Sequence, residues 1–159
     1  MGETYLGTDV YKMAVEMEQI GSQFYRACQQ KTRDDKVEKI FGYLAEEEDK
    51  HITTFEELLK FAKEASDENP FIQPVNPEYI HALVSGRVFP AKEEAMQLEF
   101  FNLKQAIQLS LTLEKDSIMF YHEMLNMTSH HDVDLVKRIL DEERDHILQI
   151  LDLKKTLKV

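Results

Sequence analysis

Two pairs, Glu48 with His51 and Glu143 with His146, each set a carboxylate three residues ahead of an imidazole. On a helix those positions are neighbours on one face, so both side chains can reach the same ion. A lone Glu precedes each pair: Glu18 before the first and Glu114 before the second. All six residues fall in stripes that are otherwise apolar. Burying one unpaired carboxylate is costly even after the surroundings relax. Several together repel one another and are driven to protonate. Two divalent cations would cancel four such charges. The pattern therefore predicts a two-metal site inside a four-helix bundle, with Glu18, Glu48, His51, Glu114, Glu143 and His146 as ligands. Carboxylate oxygens with one imidazole per ion suit iron or manganese, and zinc can substitute. We expect two iron ions.

A third Glu-x-x-His, Glu78 to His81, lies among prolines with no repeat partner and no apolar stripe around it. It is read as a chance match. Glu47 and Glu142 flank the pairs beside the seam and are expected to be solvated or to support the ligands from outside. His81, His122, His130 and His131 read as surface histidines.

Elements that could position the six are legible in the periodicity. Helices are expected at 8–31, 34–65, 102–126 and 132–157. Thr8 or Asp9 could cap the first, with Thr32 or Arg33 at the boundary of the second and Ser129 before the fourth. The inner stripe of the first is Tyr11, Ala14, Val15, Gly21, Tyr25 and Cys28. The second carries Val37, Phe41, Leu44, Glu48, His51, Phe55, Leu58 and Ala62, stepping by three and four as a packed seam requires. In the third the inner residues are Ala106, Ile107, Ser110, Glu114, Ser117, Ile118, Tyr121 and Leu125. The fourth repeats the seam with Val136, Ile139, Glu143, His146, Ile150, Leu153 and Leu157. Short connections make each pair an antiparallel hairpin.

The hairpins are copies of one another. Glu18 through Phe24-Tyr25 aligns with Glu114 through Phe120-Tyr121, and Leu44 through Ile52 with Leu140 through Ile147 once one residue is skipped. Between them, 66–101 holds all four prolines. So long a connection has a sufficient reason in crossing from one end of a bundle to the other. A short helix could start on Pro77 and run to Ser85, and Ala91 to Glu99 could add a turn or two. The predicted fold class is all-α: two antiparallel hairpins joined by a long crossover carrying a short helix, in one domain spanning 1–159.

With a formal net charge of −11 and no basic patch, nucleic-acid binding is excluded. No apolar run is long enough to span a bilayer. Residues Met1 to Lys12 lack a basic start followed by an apolar stretch, so a cytoplasmic location is expected. The single cysteine, Cys28, can form neither an internal disulfide nor a Cys-x-x-Cys site. Tyr25 and Tyr121 stand two turns beyond Glu18 and Glu114. They read either as core with a satisfied hydroxyl or as phenols bonded to ligand carboxylates across the bundle.

On these motifs the chain resembles the rubrerythrin-like branch of the ferritin-like diiron carboxylate proteins. The resemblance covers nearly the whole chain. It implies the same six ligands, with Glu48 and Glu143 bridging and Tyr25 and Tyr121 hydrogen-bonded to ligands. It also implies an oxidoreductase acting on dioxygen or hydrogen peroxide, in oxidative-stress or iron handling, and a homodimer. Two departures stand out. Full rubrerythrins carry a four-cysteine rubredoxin-like domain, so here electrons would come from a separate donor such as a rubredoxin-like protein. Rubrerythrins also have an extra Glu three residues after the third-helix ligand, linked to peroxide reduction, where this chain has Ser117. An iron-storage, carrier or ferroxidase-like role, or a purely structural metal site, is the alternative.

Overall fold

Proline-free stretches with apolar residues every three or four positions wind into four long helices. In the computed structural model they are α1 (Gly7–Lys31), α2 (Asp35–Glu64), α3 (Leu103–Met127) and α4 (Val133–Leu157). The structure describes residues 7–64, 78–79, 82, 102–128 and 132–159. The crossover at 66–101 lies outside these residues, except that 78, 79 and 82 are helical. The expected turns at Ala91 to Glu99, the Ser129 cap, and His81, His130 and His131 also lie outside them.

Local chemistry starts and stops the helices. Asp34 caps α2 rather than joining it: its Oδ1 accepts from the backbone N–H groups of Lys36 and Val37 at 2.9 and 3.0 Å. Asn102 caps α3 by accepting from the N–H of Gln105 at 3.1 Å. Thr8 and Asp9 fall inside the first turn of α1, where Asp9 pairs with Lys12 at 2.8 Å. At the head of α4, Asp132 makes no side-chain cap. Its carboxylate instead accepts from the Tyr11 hydroxyl at 2.8 Å, tying the start of α1 to the start of α4. Lys158 closes α4 in the left-handed conformation, with φ of 55°.

α1 packs on α2 and α3 on α4, and the two hairpins meet through α1 against α3 and α2 against α4. Side-chain pairings set the directions. Tyr25 meets Glu114 and Tyr121 meets Glu18, so α1 and α3 are antiparallel. Lys36, early in α2, donates to Thr156, late in α4, at 3.3 Å, so that pair is antiparallel too. α2 and α3 therefore run the same way. The end of one and the start of the other sit at opposite ends of a four-helix bundle, about 45 Å apart at the helical rise.

The seams of α2 and α4 bury the expected residues, from Val37 to Leu58 and from Val136 to Leu153. At the outer ends Ala62 and Leu157 are only partly covered. α3 departs further. Ile118 and Leu125 are half-buried, whereas Leu113 and Asp116 are buried. α3 is covered on more than one stripe, so a single-seam reading misjudges its inner face. α1 likewise buries Val10 and Ile20 beyond its expected stripe, and Met17 and Phe24 fill the core.

Aromatic rings fill the layers beside the centre. Phe41 lies on Tyr25 with ring centroids 5.9 Å apart, and Phe55 on Tyr121 at 5.2 Å. Phe41 is fully buried. Phe41→Ala should cost about 3–5 kcal/mol of unfolding free energy, because the cavity it leaves cannot fully collapse. Chemical denaturation of the variant beside the parent checks this.

Candidate metal centre

All six sequence-predicted residues converge at mid-bundle, each between 0 and 4% exposed. Glu18 comes from α1, Glu48 and His51 from α2, Glu114 from α3, and Glu143 and His146 from α4. They form two groups, each with ligand atoms within 4.8 Å of one another: Glu18, Glu48, His51 and Glu143 in one, and Glu48, Glu114, Glu143 and His146 in the other. Glu48 and Glu143 belong to both. The imidazoles face each other across the centre, 5.7 Å between centroids and 26° from parallel.

Both rings aim Nδ1 inward. His51 Nδ1 lies 3.0 Å from Glu143 Oε1 and 3.5 Å from one oxygen each of Glu18 and Glu48. His146 Nδ1 lies 3.5 Å from Glu114 Oε2 and 3.7 Å from Glu143 Oε2. These approaches lack hydrogen-bond alignment: both Nδ1 atoms, Glu114 Oε2 and both Glu143 oxygens are buried without a hydrogen-bond partner. Buried polar atoms are rarely left so. Hard oxygens with one imidazole nitrogen per group, all aimed at a shared gap, are the donors two divalent cations would satisfy.

Two crossed phenols hold the outer carboxylates. Tyr25 on α1 donates to Glu114 on α3, and Tyr121 on α3 donates to Glu18 on α1. Burial and the neighbouring carboxylates push both phenols well above their ordinary pKa, so they stay protonated and act as donors. Gly21 matters through what it leaves out. A Cβ there would lie 3.2 Å from Glu48 Cδ, so the bare α1 backbone is what lets that carboxylate sit so close.

Behind the centre stand residues that sequence reasoning placed only roughly. Glu142 Oε2 lies 3.0 Å from His51 Nε2, turning a flanking acid into a direct support for that ring. Its position next to Glu143 was the only signal. Glu47 pairs instead with Lys50. Asp49 accepts from Ser22 at 2.7 Å and pairs with Arg26, locking α2 to α1 one residue past Glu48. Nothing in the pattern announced that clasp. His122 is exposed, as expected.

A chain whose bundle presents this set has a recognisable kinship. The rubrerythrin family model matches residues 9–154. The chain belongs to the rubrerythrin family. A crystal structure of a candidate ferritin-like diiron-carboxylate protein from Thermotoga maritima is similar to it, with a TM-score of 0.70 over 98% of both chains. At 22% identity that likeness shows the shared fold. No curated protein matches the chain. Among the described residues of this rubrerythrin-family protein, no helix is long and apolar enough to cross a membrane.

Without ions the charges must be settled by protons. Burial, then the charges of neighbouring carboxylates, raise the pKa of Glu48 and Glu143 well above the ordinary range. Burial opposes charge on His51 and His146, but the carboxylates around them win and raise both. Glu18 goes the other way: burial pushes it up, but the proton held on Glu48 and the charge of His51 bring it below the usual value. Groups raised on folding lend stability that is complete below their unfolded pKa and lost as pH climbs through the folded one. Metal-free protein should therefore melt at lower temperature as pH rises from about 5 to about 8, above the ordinary carboxylate range. Metal-loaded protein should resist that loss, because ions displace these protons and bind more tightly as pH rises. Thermal melts of both forms across that range test it; parallel pH profiles would contradict the scheme.

Proposed function

We propose that the protein is a dinuclear iron carboxylate oxidoreductase that reacts with dioxygen or hydrogen peroxide, in oxidative-stress defence or iron handling. The observation that carries this reading is the knot of buried nitrogen and oxygen atoms without hydrogen bonds at the bundle's centre. Glu18 and His51 would be the private ligands of one ion, Glu114 and His146 those of the other. Glu48 and Glu143, common to both groups, would bridge. Iron held by these residues would supply the electrons for reduction of an oxygen species, and the protein would supply ligand geometry and a dry cavity.

The chain's own residues do that work by position. Tyr25 and Tyr121 hold Glu114 and Glu18 in place through hydrogen bonds to carboxylate oxygens. Bonds of this kind fix a ligand's orientation and tune its donation. Phe41 and Phe55 back the two phenols and keep water from their inner edges. Cys28 is unsuited to carry electrons: it is buried, and its thiol is pushed up to about 12 by burial. A separate donor such as a rubredoxin-like protein would supply them. A cytoplasmic homodimer completes the proposal by analogy with the family.

Ser117 favours a second reading. It puts a hydroxyl where rubrerythrins carry their extra Glu, so each proposed ion has only the six-residue set to draw on. That suits oxidation of ferrous iron with dioxygen, as in a ferroxidase or iron carrier, better than peroxide reduction.

At a free iron concentration of about 100 times Kd, each occupied site should add about 2.7 kcal/mol of stability, which chelation removes. Glu114→Ala should abolish the absorbance that iron-loaded protein develops with oxidant. Full development of that absorbance in the variant, or identical melting of chelated and iron-loaded parent protein, would refute the assignment.

A further inference from the structure

The two halves of the centre repeat in sequence, yet their surroundings do not match. Position 47 corresponds to 142, and 50 to 145. Glu47 and Glu142 are the same residue, each just ahead of a shared carboxylate. Their engagements differ. His51 Nε2 meets Glu142 Oε2 at 3.0 Å across the α2–α4 groove. By symmetry His146 Nε2 should meet Glu47. It does not: Lys50, one turn on from Glu47, holds that carboxylate in an ion pair. The corresponding residue near Glu142 is Asp145, which cannot compete for it. Among the described residues no side chain hydrogen-bonds His146 Nε2. The half-exposed Tyr43 ring stands perpendicular to the His146 ring instead, with centroids 6.4 Å apart.

This asymmetry has a chemical consequence. An imidazole whose outer N–H donates to a carboxylate is fixed in one tautomer and made a stronger base at its other nitrogen. For His51 the outer atom is Nε2, and the strengthened one is Nδ1, which faces the centre. His146 has the inward Nδ1 without the support. Resting on the metal-centre reading above, we infer that the two ion positions are unequal and fill in order: Glu142 makes the position of Glu18, Glu48, His51 and Glu143 the first to take a divalent cation, while Lys50 withholds the matching carboxylate, Glu47, from His146. Glu142 is then a positioning residue that acts on the ion through His51.

The test is to give crystals of metal-free protein one equivalent of manganese and read the anomalous scattering at each position. The parent should show about ten times or more manganese beside His51 than beside His146, the scale on which such outer bonds act. Glu142→Gln should even out the two positions. Glu47→Gln removes the same charge from the other flank and should leave the preference intact, which separates the hydrogen bond from bulk charge. Lys50→Met should free Glu47 and raise occupancy beside His146. Glu142, Glu47 and Lys50 lie toward the surface, so the variants should fold, and their melting curves verify it. Equal occupancy in the parent, preference for the His146 position, or an unchanged ratio in Glu142→Gln would overturn the order while leaving the centre standing. Absence of manganese from both positions would overturn the metal-centre reading itself.

Discussion

Four carboxylates meet where almost no water reaches, and the rest of the structure answers to that repulsion. Their like charges, close together in a medium that screens poorly, are worth several times their value in solution. Protons, imidazoles and phenols each relieve part of it. Glu48 and Glu143 are held toward the protonated form, and His51 and His146 toward the charged one. Tyr25 and Tyr121 give hydrogen bonds to the outer pair. What is left over is a set of inward-facing atoms without hydrogen-bond partners, a deficit that two divalent cations would remove.

The same repulsion explains the way the bundle is tied together. Between hairpins, α1 meets α3 and α2 meets α4, and polar bonds of the centre and its flanks cross that boundary. The crossed tyrosines, the Glu142–His51 bond and the Tyr11–Asp132 bond all run from one hairpin to the other. A charged core that would push the hairpins apart is thus bridged by directional bonds. Aromatic layers at Phe41 and Phe55 seal it above and below.

Rubrerythrin kinship and the internal repeat both suggest two equivalent halves, and side chains beside the centre break that symmetry. Ser117 stands opposite Gly21 in the repeat. Gly21 makes room for Glu48 on one side, and the corresponding residue of the other half, Ser117, is half-buried. Lys50 opposite Asp145 breaks the symmetry again, on the outer face of the centre. The Lys50 and Asp145 difference lies on the outer flank of the centre and alters what each imidazole meets.

How much was legible follows from what each helix touches. The seams of α2 and α4 could be read nearly residue by residue, since one apolar stripe facing one core leaves a strong period. Those of α1 and α3 could not, because Ile20, Leu113 and Asp116 are buried outside the expected stripe. The six residues of the centre were visible in the chain because a carboxylate in an apolar seam is a contradiction that only a shared charge partner resolves, and the repeat supplied the contradiction twice. Which hydroxyl meets which carboxylate, and that Glu142 supports His51 while Glu47 turns to Lys50, came only with the packed bundle. Periodicity assigns a residue to a face. The partner on the opposing helix depends on the offset and rotation of two helices, and those are set by the packing of the whole core.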